Sequence, residues 1–200
     1  MRAFALLLLS AFLPSLAHAQ AVPTADRSFR FSAFGAANGT WTGLNGGRNA
    51  GITAGLNVDL PSFRRWVPAV EARGTYPVKE GQVDSQKNFL GGLRVGTWVG
   101  ARLFPYADVL FGRSQINYAA PGYQKPGTPV FYTVTSSTAL AFGGGIEYRL
   151  TRDFSAKVDL QDIRQQTPVT DSGSLSSTQV NLGLTWRPHP GRRRGVSETD

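Results

Sequence analysis

One stretch, Leu103–Gly112, read LFPYADVLFG, limits the folds open to this chain more than any other. Alternate side chains of a strand face opposite sides. Leu103, Pro105, Ala107, Val109 and Phe111 therefore share one face, and Phe104, Tyr106, Asp108 and Leu110 share the other. The first row is wholly apolar, while the second carries a charge at its middle. A soluble sandwich would bury the apolar row; a membrane barrel would turn it towards lipid. The rest of the chain decides between them.

The same period of two recurs along the sequence. It predicts strands at Ser28–Ala37, Gly51–Leu60, Trp66–Tyr76, Asn88–Thr97, Leu103–Ile116, Ser137–Leu150, Phe154–Ile163 and Thr178–Trp186, eight in all. The connections alternate in length. Those at 38–49, 77–87, 117–133 and 165–175 are long and rich in Gly, Asn, Ser or Pro; those at 61–65, 98–102 and 151–153 are short. An even-numbered antiparallel barrel with long loops at one end and tight turns at the other has this rhythm. A sandwich need not sort its loops by end.

Two further patterns favour lipid. Trp66, Tyr76, Trp98, Tyr148, Phe154 and Trp186 fall near strand ends, as an aromatic girdle at the water–lipid boundaries would. Glu71, Arg73, Arg94, Asp108, Glu147, Arg149, Lys157 and Asp159 all lie on the row opposite the apolar one. An eight-stranded barrel is just wide enough for side chains to fill it. Charges enclosed there must pair, because an unpaired buried charge costs several kcal/mol, and four acids against four bases is the balance that requires.

The N-terminus addresses the chain for export. Arg2, the apolar run Phe4–Leu13 and the small residues Ala17 and Ala19 read as a signal peptide over 1–19, followed by a lead-in over 20–27. The run is too short to remain as a membrane helix. The barrel is expected over 28–186 and a basic, disordered tail over 187–200. There is no cysteine, so disulfides play no part, and with His18 and His189 as the only histidines no metal or cofactor site is expected. The net charge of +8 is concentrated by Arg187, Arg192, Arg193 and Arg194 in the tail. For an exported chain this points to lipopolysaccharide phosphates or anionic lipids, and not to nucleic acid.

The segments Arg102–Ala107 (RLFPYA) and Phe142–Leu150 (FGGGIEYRL), with the alternating final strand, resemble the small outer-membrane β-barrel family, the porin-like or opacity-type domains of Gram-negative envelopes. The resemblance implies an all-β, eight-stranded, antiparallel up-and-down transmembrane barrel. It also implies insertion into the outer membrane by the barrel assembly machinery, with both termini periplasmic. Family members usually finish at the aromatic residue of the last strand, whereas here a tail follows Trp186.

Catalysis is not expected. A barrel-embedded lipid A deacylase or palmitoyl transferase needs a base beside its nucleophile. His18 leaves with the signal, and His189 lies between two prolines in the tail. The acid pairs Asp159/Asp162 and Glu71/Asp108 read as salt-bridged structure. Gly143–Gly145 reads as relief of crowding, and Asn38-Gly39-Thr40 as a chance sequon. The leading reading is a closed, monomeric structural barrel that displays its loops. Tyr118, Tyr123, Phe131 and Tyr132 are its candidate binding surface. A small-solute channel and a soluble, lipocalin-like ligand-binding barrel are the alternatives.

Overall fold

The computed structural model describes residues 30–79 and 84–188. The signal peptide, the lead-in and the tail from residue 189 lie outside them. Ten strands follow in order: β1 (Phe31–Thr42), β2 (Arg48–Asp59), β3 (Trp66–Lys79), β4 (Asp84–Thr97), β5 (Leu103–Tyr118), β6 (Tyr123–Gln124), β7 (Phe131–Tyr132), β8 (Val134–Arg149), β9 (Phe154–Gln166) and β10 (Ser174–Trp186). Eight of them close an antiparallel barrel in the order β1-β10-β9-β8-β5-β4-β3-β2, and β6 with β7 forms a small separate hairpin. Each barrel strand pairs with its neighbours in the chain, and β10 closes on β1 from Ala33–Trp186 to Thr42–Ser177. No edge is left unpaired, which is what lipid demands of a sheet.

The strands are staggered. From Trp186, the register passes through Ala33, Leu56, Ala72, Gly91, Phe111, Leu140 and Arg164 and returns to β10 at Ser176, ten residues away. Closure of a sheet requires such a shear and tilts every strand against the barrel axis.

The alternating rows resolve as lipid-facing and interior. Leu56, Phe89, Leu93, Val109, Phe111, Ile146, Leu160 and Leu184 stand exposed on the outside. Their partners in alternation, including Glu71, Arg94, Asp108 and Asp159, are buried inside. A soluble ligand-binding barrel needs the reverse arrangement, so that alternative fails. Outward apolar side chains with no protein to cover them are stable only in hydrocarbon.

One expectation is corrected. The connections at the end remote from the termini are shorter than the composition suggests, because β1, β2, β3, β4, β9 and β10 run on into the stretches read as loops. The β1–β2 connection is 43–47, and the β9–β10 connection is 167–173. Asn45 and Gly46 adopt the left-handed conformation that reverses the chain within so few residues. Glycine and asparagine read as loop formers, yet a closed sheet holds them in register from both sides, and context overrides propensity. Only the β5–β8 connection is long, and it carries the β6–β7 hairpin.

Candidate functional site

The interior has three levels. Nearest the termini, strands β3, β4, β5, β8 and β9 aim Glu71, Arg73, Arg94, Asp108, Glu147, Lys157 and Asp159 at one another. Arg73 is the hub. Its Nε donates to Glu71 Oε1, and its Nη2 lies 3.0 Å from Asp159 Oδ2 and 3.4 Å from Asp108 Oδ2. Asp159 also accepts from Tyr106 Oη at 2.9 Å and Asn181 Nδ2 at 2.7 Å. Gln161 Nε2 donates to Asp108 at 3.1 Å. Arg94 pairs with Glu147 at 2.5 Å and lies 3.8 Å from Glu71. The Asn57 amide, with its nitrogen turned to Glu71, donates to Oε2 at 2.8 Å and accepts from Arg94 Nη1 at 3.2 Å.

Aromatic rings complete the solvation of the cations. Arg94 stacks on Tyr106 with its guanidinium carbon 3.6 Å from the ring centre, and Lys157 Nζ lies 3.6 Å over Phe34. Glu71 and Glu147 are 0% exposed and Lys157 1%, so water does not reach this level. Two inward glycines of β8 make the room. A Cβ on Gly143 would occupy the place of the Gln161 amide, and one on Gly145 would strike Tyr106 Oη and the Val158 carbonyl.

Three expectations change here. Arg149 does not join the network; it stacks on Trp98 at 4.1 Å at the rim. Trp98 in turn is not a girdle residue. Its ring lies 4.9 Å from that of the buried Phe104, across the opening at the terminal end. Arg187, assigned to the tail, is the missed member. It pairs with Glu147, its backbone N–H donates to Asp153 O at 2.8 Å, and its guanidinium lies 5.6 Å from the Phe104 ring centre. Continuing the alternation one residue past Trp186, to Arg187, points it inward, and that was the available signal. The balance of four acids and four bases holds with Arg187 in the place of Arg149.

The middle level is uncharged. Asn38, Thr53, Thr75, Gln179 and Asn181 share one hydrogen-bonded cluster, with Thr53 Oγ1 2.9 Å from Asn181 Oδ1 and 3.0 Å from Thr75 Oγ1. Asn38 of the chance sequon is thus buried. Leu90, Leu110, Ala139, Ala141 and Ile163 pack as a second cluster. Above them, Gln86, Asn88 and Gln165 each leave at least one buried amide atom without a hydrogen bond.

An apolar plug fills the far mouth. Leu44, Ile116, Tyr118, Val169 and Leu175 pack together, with Tyr123 and Tyr132 against them. Tyr118 Oη lies 2.6 Å from Thr167 Oγ1, and its ring is 6.0 Å from that of Tyr123. Tyr118 is therefore buried and is no binding surface; Tyr123 and Tyr132 are half-buried, and Phe131, 54% exposed beside Val130, is the member left on the outside. Of the aromatic residues read as a girdle, Trp66, Tyr76, Tyr148, Phe154 and Trp186 are exposed on the outer surface.

The acid pairs offer no acid–base machinery. Asp159 faces the interior, whereas Asp162 faces outward, where it binds Arg164 at 3.0 Å and Ser176 Oγ at 2.5 Å. Glu71 and Asp108 share the Arg73 guanidinium. Among the described residues no group of acids and histidines is placed to hold a metal ion.

The family model described as "Outer membrane protein beta-barrel domain" matches residues 3–187. No functionally curated protein matches the chain. Among solved structures, Ail, the attachment invasion locus protein of Yersinia pestis, crystallised with the heparin analogue sucrose octasulfate, aligns with a TM-score of 0.53 at 12% identity, over 80% of this chain and 99% of that one. Neisserial surface protein A aligns with a TM-score of 0.50 at 13% identity, over 78% and 96%. The outer membrane enzyme PagL is also similar, with a TM-score of 0.45 at 16% identity over 76% and 97%.

Proposed function

This chain belongs to the outer membrane protein beta-barrel domain family and resides in the outer membrane, and from that premise we propose that it is a non-conducting, non-catalytic barrel whose role lies at its outer mouth. The end carrying the termini faces the periplasm, and the barrel assembly machinery inserts the chain as a monomer. The outward mouth presents the β6–β7 hairpin, with Val130 and Phe131 exposed, to partners beyond the cell. A rigid barrel holds such a segment in a fixed orientation, which is what a recognition surface requires.

The observation that carries this reading is two obstacles in series along the bore. The charged level is sealed from water, and the far mouth is plugged by apolar side chains. Solute passing through would have to break a paired network of ions and displace a packed cluster. Purified protein in planar bilayers should therefore give no stable conductance steps, and well-defined steps would defeat the proposal. Against catalysis stands the composition: no histidine lies between residues 19 and 188, so the Ser176–Asp162 contact on the outer surface lacks an imidazole base. Mass spectra of lipid A from cells overproducing the chain should match those of control cells; a lost or added acyl group would overturn that part.

A further inference from the structure

The stagger of the sheet brings together, on the outside, charges that the sequence keeps far apart. Arg48 of β2, Lys79 of β3, Lys87 of β4 and Arg113 of β5 lie on four adjacent strands. The register line through Leu56, Ala72, Gly91 and Phe111 measures their heights. Arg48 stands eight positions beyond that line, Lys79 seven, Lys87 four and Arg113 two. The line itself climbs towards the far end from β2 to β5, by the shear of ten residues spread over the eight strands. The falling offsets and the rising line nearly cancel, leaving the four bases within about two residues of one level. That level lies just beyond the exposed apolar side chains Ile52, Tyr76, Phe89 and Phe111, with Val78 exposed beside Lys79.

Among the described residues none of the four bases is in an ion pair; on the opposite wall, by contrast, Arg164 is held by Asp162. Two grooves run along this arc. One, of about 430 Å³, is lined by Lys87, Arg113, Gln115 and Ser136 above the rings of Tyr76 and Phe89. The other, of about 680 Å³, is lined by Trp41, Asn45, Arg48 and Lys79. Each sets cations and neutral donors beside an apolar surface.

We propose that the β2–β5 face of the barrel is a binding site for the phosphorylated headgroup of an outer-leaflet glycolipid, with Lys87 and Arg113 holding one phosphate, Gln115 and Ser136 donating to the sugar, and an acyl chain lying along Phe89 and Phe111. The inference rests on the orientation given above, which puts this level at the outer headgroups. Charge complementarity selects the occupant: an arc of bases at the boundary of an apolar band fits an anion that is itself anchored in lipid. It moves the basic attraction of the chain from its tail to its wall.

The test uses the full chain in nanodiscs of phosphatidylethanolamine with added lipopolysaccharide, and the retained glycolipid is quantified. The double variant Lys87→Gln, Arg113→Gln should bind about thirtyfold more weakly, since each of the two bases near a charged membrane surface contributes on the order of 1 kcal/mol and about 1.4 kcal/mol is tenfold. The variant Arg64→Gln, Arg65→Gln at the terminal end should bind as the parent does. Dephosphorylated lipopolysaccharide should bind the parent only as well as the intact lipid binds the double variant, and millimolar inorganic phosphate should not compete. Parent-like retention by the double variant overturns the site. Equal loss at the terminal end overturns its location, and full competition by free phosphate overturns its lipid occupant. Unboiled gel mobility verifies that each variant is a folded barrel. A conducting parent protein would defeat the preceding reading and leave this result standing.

Discussion

The two halves of the barrel interior solve the same burial problem by different chemistry. In the half nearer the termini, four carboxylates and four cations compensate one another, although Asp108 Oδ1, Lys157 Nζ and Gln161 Oε1 make no hydrogen bond. In the half nearer the far mouth no ion is enclosed among the described side chains. Amides, hydroxyls and aliphatic groups fill the space, and Asn49, Gln86, Asn88, Gln165 and Ser177 keep buried polar atoms without partners. Charge is expensive to bury and holds its geometry strictly when paired. Neutral amides cost less and tolerate loose contacts. The contrast sets an ion-paired half near the termini against an uncharged half near the far mouth.

The comparison can be broken at its strongest point by Arg73→Ala. This leaves Glu71, Asp108 and Asp159 facing one another without their shared cation. Removal of one partner from a buried ion cluster costs about 3–5 kcal/mol, readable as a lowered midpoint in denaturant titrations of the detergent-folded barrel. A loss below about 1 kcal/mol would mean that the network is not what holds this half together. Arg187→Gln should cost less, about 2 kcal/mol. Its side chain is 20% exposed, and Arg94 still compensates Glu147. If it proves as damaging as Arg73→Ala, closure at the rim matters more than the hub. The mildest change belongs to the outer half. Gln86→Leu removes a single 3.3 Å bond to Ser114 and an oxygen that has no partner, so stability should move by no more than about 1 kcal/mol in either direction. A large loss there would erase the distinction between the halves.

Most of the architecture is legible in the residues. A period of two, repeated eight times with apolar and charged rows kept apart, admits one closed arrangement in lipid, and it places Glu71, Arg73, Arg94, Asp108, Glu147, Lys157 and Asp159 on the interior row. Strand ends were less legible, because Gly and Asn carry a loop-like composition into stretches that the neighbouring strands hold extended. Alternation says which way a side chain points but nothing of its height or its neighbours round the barrel. Those depend on the shear, a property of closure that no single strand encodes.

By itself, then, the sequence determined the eight strands of the barrel, though not the β6–β7 hairpin, together with the sidedness of each barrel strand and the enclosure of balanced charge, because period and composition are local quantities. Only the tertiary structure decided that Arg187 and not Arg149 completes the network, that Trp98 packs across the opening at the terminal end, that Tyr118 belongs to a plug, and that Arg48, Lys79, Lys87 and Arg113 share one level on the outer wall. Each of these results from bringing staggered strands together round a closed ring, where residues far apart in the chain become neighbours.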